Sequence, residues 1–319
     1  MEGERAHSGS AERRDDLEWV ECVLCGGKES ELALSAQERH LGTGEGFRIV
    51  RCARCGLMYL NPRPVRSAMT RYYPDAYSVF ALRPQWTRPF SRWLDERRVH
   101  RLSRLLKGQG RALDVGCGRG ELVAALRRAG IDAQGIDPSE HAVRNGVPGA
   151  SGHLERGELE TVPLGHGEFD LVVLSHVLEH CQDPSGLLVR LREVLRPGGY
   201  LYVEVPNASS WEARMLGQYW GGWDVPRHCY HFSPETLVRL LKQENFTVLR
   251  LSFSMVPTTC AWGVLNLASD FGVSAPLGRI AGHLRPLLKI VLLPLGALEA
   301  LMHKSGVMAA ICQKRDAGS

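Results

Sequence analysis

Residues Arg111-Ala-Leu-Asp-Val-Gly-Cys-Gly-Arg-Gly-Glu121 decide the fold. The apolar run from Ala112 to Val115 gives way to Gly116, Gly118 and Gly120, and a helical pattern of Leu122, Val123, Ala125 and Leu126 follows at once. The order is strand, tight glycine turn, helix. Glycine suits such a turn because it tolerates positive φ and lets a ligand come close to the backbone. The helix that follows presents N–H groups without intrahelical partners to a polar ligand. Many nucleotide-binding folds share this much, so the surrounding residues must decide between them.

Asp114 stands two residues before the first glycine, still on the strand. A second strand, Ile131 to Ile136, ends in Asp137, seventeen positions after Gly120. A carboxylate at that strand tip can accept from both hydroxyls of a ribose. The text Leu-Asp-Val-Gly-Cys-Gly-Arg-Gly resembles motif I of the class I S-adenosylmethionine (SAM) methyltransferases, and further matches follow in order over residues 111–254. The resemblance implies an α/β fold, with a Rossmann-like seven-stranded sheet and helices on both faces. It implies SAM as cofactor, with Asp114 near its methionine end, Gly116, Cys117, Gly118 and Gly120 around it, and Asp137 on the ribose. Glu158, directly after Gly157, takes the place of the acid that meets the adenine amino group, where aspartate is commoner. Leu159 would pack on the adenine ring, and Ser175 stands at the strand end that faces the transferred methyl.

At 319 residues the chain has room for one large core and an accessory module. A hydrophobic content of 44% with 23% charged residues is ordinary for a soluble protein. The formal charge of +4 is too small to argue for nucleic acid as partner. Residues 1–18 read as a disordered polar tail with no apolar signal segment. Nine cysteines, four of them in paired knuckles, point to metal rather than disulfides and to a reducing, cytoplasmic setting.

The knuckles are Cys22-Val-Leu-Cys25-Gly26 and Cys52-Ala-Arg-Cys55-Gly56, with 26 residues between the pairs. Four thiolates suit tetrahedral Zn²⁺ in a closed, structural site, with iron as the lesser alternative. The spacer accommodates a hairpin whose second strand, Phe47 to Val50, leads into the second knuckle. Residues 19–62 therefore read as a zinc ribbon, and 63–110 as a linker with cap helices. The knuckles, Asn61-Pro-Arg-Pro64 and Arg71-Tyr-Tyr-Pro-Asp-Ala-Tyr77 together resemble bacterial methyltransferases with an N-terminal zinc ribbon. That subgroup is associated with sugar, polysaccharide or natural-product modification. Tyr72, Tyr73 and Tyr77 either cap the cofactor or pack the ribbon on the catalytic domain. Over residues 88–107, Phe90, Trp93, Leu94, Leu102, Leu105 and Leu106 give an amphipathic helix, with Arg92, Arg97, Arg98, Arg101 and Arg104 on its polar side.

Phe169 to Leu174 is a buried strand, followed by Ser175-His-Val-Leu-Glu-His180. His176, Glu179 and His180 would share one helical face at i, i+3 and i+4. Two chemical readings compete with plain cleft lining. In one, His180 or His176 is a general base, as a histidine here is in the sugar C-methyltransferases this chain resembles. In the other, His176, Glu179 and His180 hold a divalent metal, since ubiquinone-type O-methyltransferases carry a similar Glu-x-x-Glu-His. The histidine at 176 argues against magnesium, which prefers oxygen. The loop Gln218 to Pro234 adds Trp220 and Trp223 as walls for a sugar or aromatic ring, and His228 and His231 as further acid–base candidates.

Residues 255–319 hold an apolar helical insertion and then a last, antiparallel strand, Val307 to Cys312. Residues 255–304 are expected to form a buried hairpin, a lid, a dimer surface or a patch that touches a membrane peripherally. The function these features imply is SAM-dependent methyl transfer to a small molecule or glycan, at oxygen or carbon. An RNA methyltransferase gripping nucleic acid with its ribbon, or a non-catalytic SAM-binding module, are the alternatives.

Overall fold

The computed structural model describes residues 16–74, 88–159, 161–270 and 286–315. Tyr77, and the side chains of Phe90, Arg92, Trp93 and Leu94, lie outside the described residues. The main sheet has seven strands: β6 (Arg111–Val115), β7 (Asp132–Asp137), β8 (Leu154–Arg156), β9 (Phe169–Ser175), β10 (Leu195–Pro206), β12 (Phe246–Phe253) and β13 (Val307–Lys314). Their spatial order is β12-β13-β10-β9-β6-β7-β8. The pairs from β8 to β10 are parallel, and β13 runs antiparallel to both its neighbours. This is the Rossmann-like seven-stranded sheet, with helices on both faces, that the glycine turn implied.

The elements form for local reasons. Residues 169–174 are all buried, as a central parallel strand covered on both faces requires. The helix Glu121–Arg128 buries Leu122, Val123, Ala124, Ala125 and Leu126 against the sheet. Asp183 caps the helix Pro184–Val194 by accepting from the Gly186 N–H at 2.9 Å, and Ser233 and Thr236 form a reciprocal cap on the helix Pro234–Gln243. The helix Arg88–Leu105 covers the helix Glu121–Arg128, with Val99, Leu102 and Leu106 in a shared core.

Two local details shape the strand ends near the site. Arg196-Pro-Gly-Gly199 is an irregularity inside β10. Leu195 pairs with Phe169 and the ladder resumes at Tyr200 opposite Leu171. Pro197 has no N–H to give the ladder, and Gly198 takes φ +68°, so the extra residues bulge out. After β9, His176, Glu179 and His180 do not share the one helical face that their spacing predicted. Only Leu178–His180 forms a 3₁₀ turn, and the helix starts at Pro184.

The N-terminal residues build β1 (Leu17–Glu18), β2 (Ser30–Gln37), β3 (Gly46–Cys52), β4 (Met58–Leu60) and β5 (Arg63–Pro64). A second sheet runs β11-β4-β3-β2, and β11 (Tyr230–His231) comes from the aromatic loop of the C-terminal half. Tyr230 pairs with Tyr59, and His231 with Met58. The ribbon and the aromatic loop thus share one sheet. The apolar insertion contains the helices Thr258–Ala268 and Leu293–Leu301, with Leu287, Ile290, Val291, Leu298, Leu301 and Met302 exposed. No helix among the described residues is long and apolar enough to cross a membrane.

Candidate active site

The strand ends of β6, β7, β9 and β10 open into one cavity of about 2320 Å³. A pocket for one small ligand has about 300–1,000 Å³, so this one has room for a cofactor and an acceptor together. Asp114, Gly116, Cys117, Gly118, Asp137, Glu158, Leu159, Ser175, His176, His180 and His228 all line it. Gly116 and Gly120 have φ of +69° and +77°. A Cβ on Gly116 would lie 2.5 Å from Val177 Cγ2, and one on Gly120 2.7 Å from Ala150 Cβ. Only glycine fits either place. Asp137 braces the turn: its carboxylate accepts from the Gly118 N–H and the Ser139 N–H, both at 2.8 Å. Each carboxylate oxygen retains acceptor capacity for a ribose hydroxyl.

Burial, reinforced by Asp137 and Glu121 and opposed by Arg98, pushes the Asp114 carboxyl up to about 7. Burial also raises Asp137, against the two N–H groups it accepts. Glu158, at the far end, pairs with Arg66 from the N-terminal half, and Leu159 is buried beside it. This donor set fits SAM: turned glycines, a free helix N-terminus, a strand-tip carboxylate for a diol and an apolar side chain for a ring.

The turn after β9 carries the histidines, and they differ in state. His176 has φ +57°, a left-handed conformation that turns its ring between two carboxylates. Its Nδ1 lies 3.0 Å from Glu179 Oε1 and its Nε2 3.8 Å from Glu204 Oε1. Burial opposes its charge, but the hydrogen bond to Glu179 and the charges of Glu179 and Glu204 outweigh burial and raise its pKa. Glu179 and Glu204 are lowered against burial, Glu179 chiefly by His176, and Glu204 by Arg98 and then His176. These carboxylates bias His176 toward its charged form within an ion network. Ser175 belongs to the same network, donating to Glu204 at 2.9 Å and accepting from Arg98 at 3.0 Å. Tyr202 donates to Glu204 at 2.7 Å.

His180 is the opposite case. Its Nδ1 lies 3.1 Å from the Arg227 carbonyl oxygen. A carbonyl only accepts, so Nδ1 carries the proton and Nε2 carries the lone pair. The Tyr73 hydroxyl, 2.8 Å from the same nitrogen, can accept as well. Burial, then the neighbouring His228, pushes the imidazole down to about 4, so it is neutral at pH 7. His228 repeats the pattern, with Nδ1 2.9 Å from the Gly222 carbonyl, and its ring meets His180 edge-on at 4.5 Å. Ligand atoms of Glu179, His180 and His228 lie within 4.8 Å of one another. The trio expected from spacing was His176, Glu179 and His180; here His228 takes the place of His176, which faces Glu204 instead. His231 is 3% exposed, packs on Trp223 at 5.1 Å and does not line the cavity.

Trp220 and Trp223 are almost fully buried, pack edge-on at 4.8 Å and spend their indole N–H groups on Glu212 and the Gly217 carbonyl. They are structural walls with little face left to stack on a ligand. Tyr72 donates to Glu45 at 2.7 Å and packs on Phe47, joining the ribbon to the rest. Cys22, Cys25, Cys52 and Cys55 converge within 4.8 Å. Cys22 Sγ lies 3.4 Å from Cys55 Sγ and Cys25 Sγ 3.5 Å from Cys52 Sγ, far beyond a disulfide's roughly 2.05 Å.

Sequence reasoning did not single out Glu204, Tyr202, Asp224, Arg227 or Glu38. Glu204 had a readable signal, a lone acid inside the apolar strand Tyr200–Val205. Glu38 and Arg227 had none, because they meet across 189 positions of chain.

A family profile described as a methyltransferase domain matches residues 86–251, just over half of the chain. A ubiquinone biosynthesis O-methyltransferase from Methylococcus capsulatus is 30% identical over 180 residues, covering 51% of this chain and 73% of that protein. One from Cereibacter sphaeroides is 31% identical over 180 residues, covering 51% and 71%. Among solved structures, a candidate sarcosine dimethylglycine methyltransferase from Galdieria sulphuraria superposes with a TM-score of 0.52 at 16% identity, covering 77% of this chain and 98% of that one. That likeness concerns the fold alone. With the glycine cradle, the sheet order and the matched span in agreement, the chain belongs to the methyltransferase domain family and is a SAM-dependent methyltransferase.

Proposed function

We propose that this enzyme methylates a hydroxyl of a small molecule or saccharide, with His180 as the general base and a structural zinc on Cys22, Cys25, Cys52 and Cys55. The observation that carries the reading is the state of His180: a neutral ring lining the cavity whose Nδ1 is spent on a carbonyl, which leaves the lone pair on Nε2. Bound SAM supplies a methyl group made electrophilic by its sulfonium. The chain's residues then hold the acceptor in line and take its proton. His180 Nε2 accepts that proton, and Glu179 and Asp224 stabilise the imidazolium as it forms, since both raise the His180 pKa. His176, with both ring nitrogens turned to Glu179 and Glu204, is committed to those carboxylates and orients Glu179. A positioned base contributes about 10²–10⁴-fold. The relatives named for ubiquinone biosynthesis O-methyl transfer support a hydroxyl as acceptor.

Zinc fits the cysteine cluster. Tetrahedral Zn–S bonds of about 2.3 Å place the sulfurs about 3.8 Å apart, close to the spacing of the two short sulfur pairs. With four thiolates the shell is closed to water, which makes the site structural.

The test uses methyl-labelled SAM with a panel of nucleotide sugars and phenols. The native enzyme should label at least one acceptor, and His180→Ala should lose nearly all transfer while still binding S-adenosylhomocysteine. Full turnover by His180→Ala would remove the base assignment.

A second reading rests on Glu179 Oε2, which is buried without a partner beside His180 and His228. A divalent metal held by these three would polarise the acceptor hydroxyl in place of a base. Loss of transfer on chelation, restored by Mn²⁺ or Co²⁺, would favour it; indifference to chelators with an intact ribbon would dismiss it.

A further inference from the structure

Arg227 is fully buried, and its guanidinium has four oxygens around it. Nε donates to Asp224 Oδ2 at 3.1 Å and Nη2 to Asp224 Oδ1 at 2.6 Å. Nη2 also donates to Glu38 Oε1 at 3.0 Å, and Nη1 reaches the Tyr72 carbonyl at 3.4 Å. Glu38 is itself 1% exposed and sits where β2 ends. Its carboxylate accepts from the N–H groups of His40, Leu41 and Thr43, so the hairpin tip is built around it. Burial would raise the Glu38 carboxyl, but these N–H groups and Arg227 outweigh it and lower its pKa. The ion pair is therefore charged and dry, a state that resists the loss of either partner.

The same residue's backbone carbonyl is the acceptor that fixes His180 Nδ1 as the protonated nitrogen. The backbone around it is tied to the ribbon a second time. Leu60 N–H donates to the Cys229 carbonyl at 2.9 Å, and Cys229 N–H donates to the Glu179 carbonyl at 2.8 Å. The turn 224–227 is also held in an unusual shape, with Asp224 at φ +33° and the His228 N–H bonded to the Asp224 carbonyl at 3.1 Å. One residue thus joins the ribbon, through its side chain, to the ring of His180, through its carbonyl.

We propose that Arg227 is a positioning residue through which Glu38 of the ribbon fixes the tautomer and orientation of His180. The proposal rests on reading His180 as the base, and it gives the ribbon a part in the chemistry beyond stability. A carbonyl displaced from Nδ1 no longer dictates the tautomer. The ring can then hold its proton on Nε2, where it cannot receive one from the acceptor.

The experiment is ¹⁵N-histidine NMR of the full-length, metal-loaded protein, with His180 assigned through His180→Gln. The native protein should show His180 as a single tautomer, Nδ1 protonated and Nε2 bare. Glu38→Gln and Arg227→Met should each convert that signal to a mixture of tautomers. S-adenosylhomocysteine affinity should stay within about two-fold and the metal content should be unchanged. Glu38→Gln is the milder change and keeps the test available if Arg227→Met fails to fold. A purely structural tie would leave the tautomer as it is, so an unmoved Nδ1–H signal in a folded variant overturns the proposal, as does an Nε2–H signal in the native protein. The readout needs no turnover, so it stands apart from the His180→Ala transfer assay, which judges the base assignment itself.

Discussion

Asp137 does two jobs with one carboxylate: it holds the glycine turn through two N–H groups and faces the cavity where a ribose would lie. Replacing it should therefore cost cofactor affinity more than a single hydrogen bond would. Gly116 is constrained twice, by its φ and by Val177. Gly116→Ala should lose SAM binding and cost about 1–3 kcal/mol of stability, which calorimetric titration and denaturant unfolding would read separately. His180→Ala belongs to the other class. It should reduce methyl transfer by about 10²–10⁴-fold with cofactor binding intact. The glycines, Asp114 and Asp137 were legible because short-range spacing positions them. The different surroundings of His176 and His180 were not, because Glu204 and the Arg227 carbonyl arrive from distant strands and loops.

The C-terminal helix Leu293–Leu301 carries its own prediction. Glu299 is fully buried and faces Glu212 on the helix Trp211–Leu216, where Thr259 and Trp220 also donate to Glu212. Glu212 Oε1 and both Glu299 oxygens are buried without a donor, and burial raises both carboxyls. Burial, then the charge of Glu212, pushes Glu299 up to about 8. An unfolded glutamate titrates near pH 4.3. Between those values the folded protein binds a proton that the unfolded chain does not, so stability falls as pH rises toward 8. Glu299→Gln, which keeps its shape without titrating, should flatten that slope in thermal melts recorded across the interval. The cysteine knuckles carry another. Chelation should release about one zinc per chain and expose four reactive thiols, lowering the melting temperature. The strands β9 and β13 were readable from their continuous apolar runs. The single helical face expected for His176, Glu179 and His180 did not form, because His176 turns into the left-handed region and only Leu178–His180 makes a 3₁₀ turn before the helix that opens at Pro184.

Over the whole molecule, the ribbon and the catalytic sheet are joined at their working surfaces. β11 extends the ribbon's sheet, Arg63 binds the Gln182 carbonyl at 2.9 Å and Tyr230, and Arg66 reaches Glu158 at the cofactor's end of the cleft. The seven-stranded sheet, the glycine cradle and the knuckles were legible as separate motifs. Their fusion was not, since β4 and β11 are 170 positions or more apart and neither carries a pattern naming the other. The central claim is that the glycine turn and Asp137 bind SAM while His180 serves a later step. Titration calorimetry of S-adenosylhomocysteine into the native protein, Asp137→Ala and His180→Ala tests it most directly. The account predicts binding in the native protein and in His180→Ala, and its loss in Asp137→Ala. Undiminished binding by Asp137→Ala, or its loss in a folded His180→Ala, would contradict it.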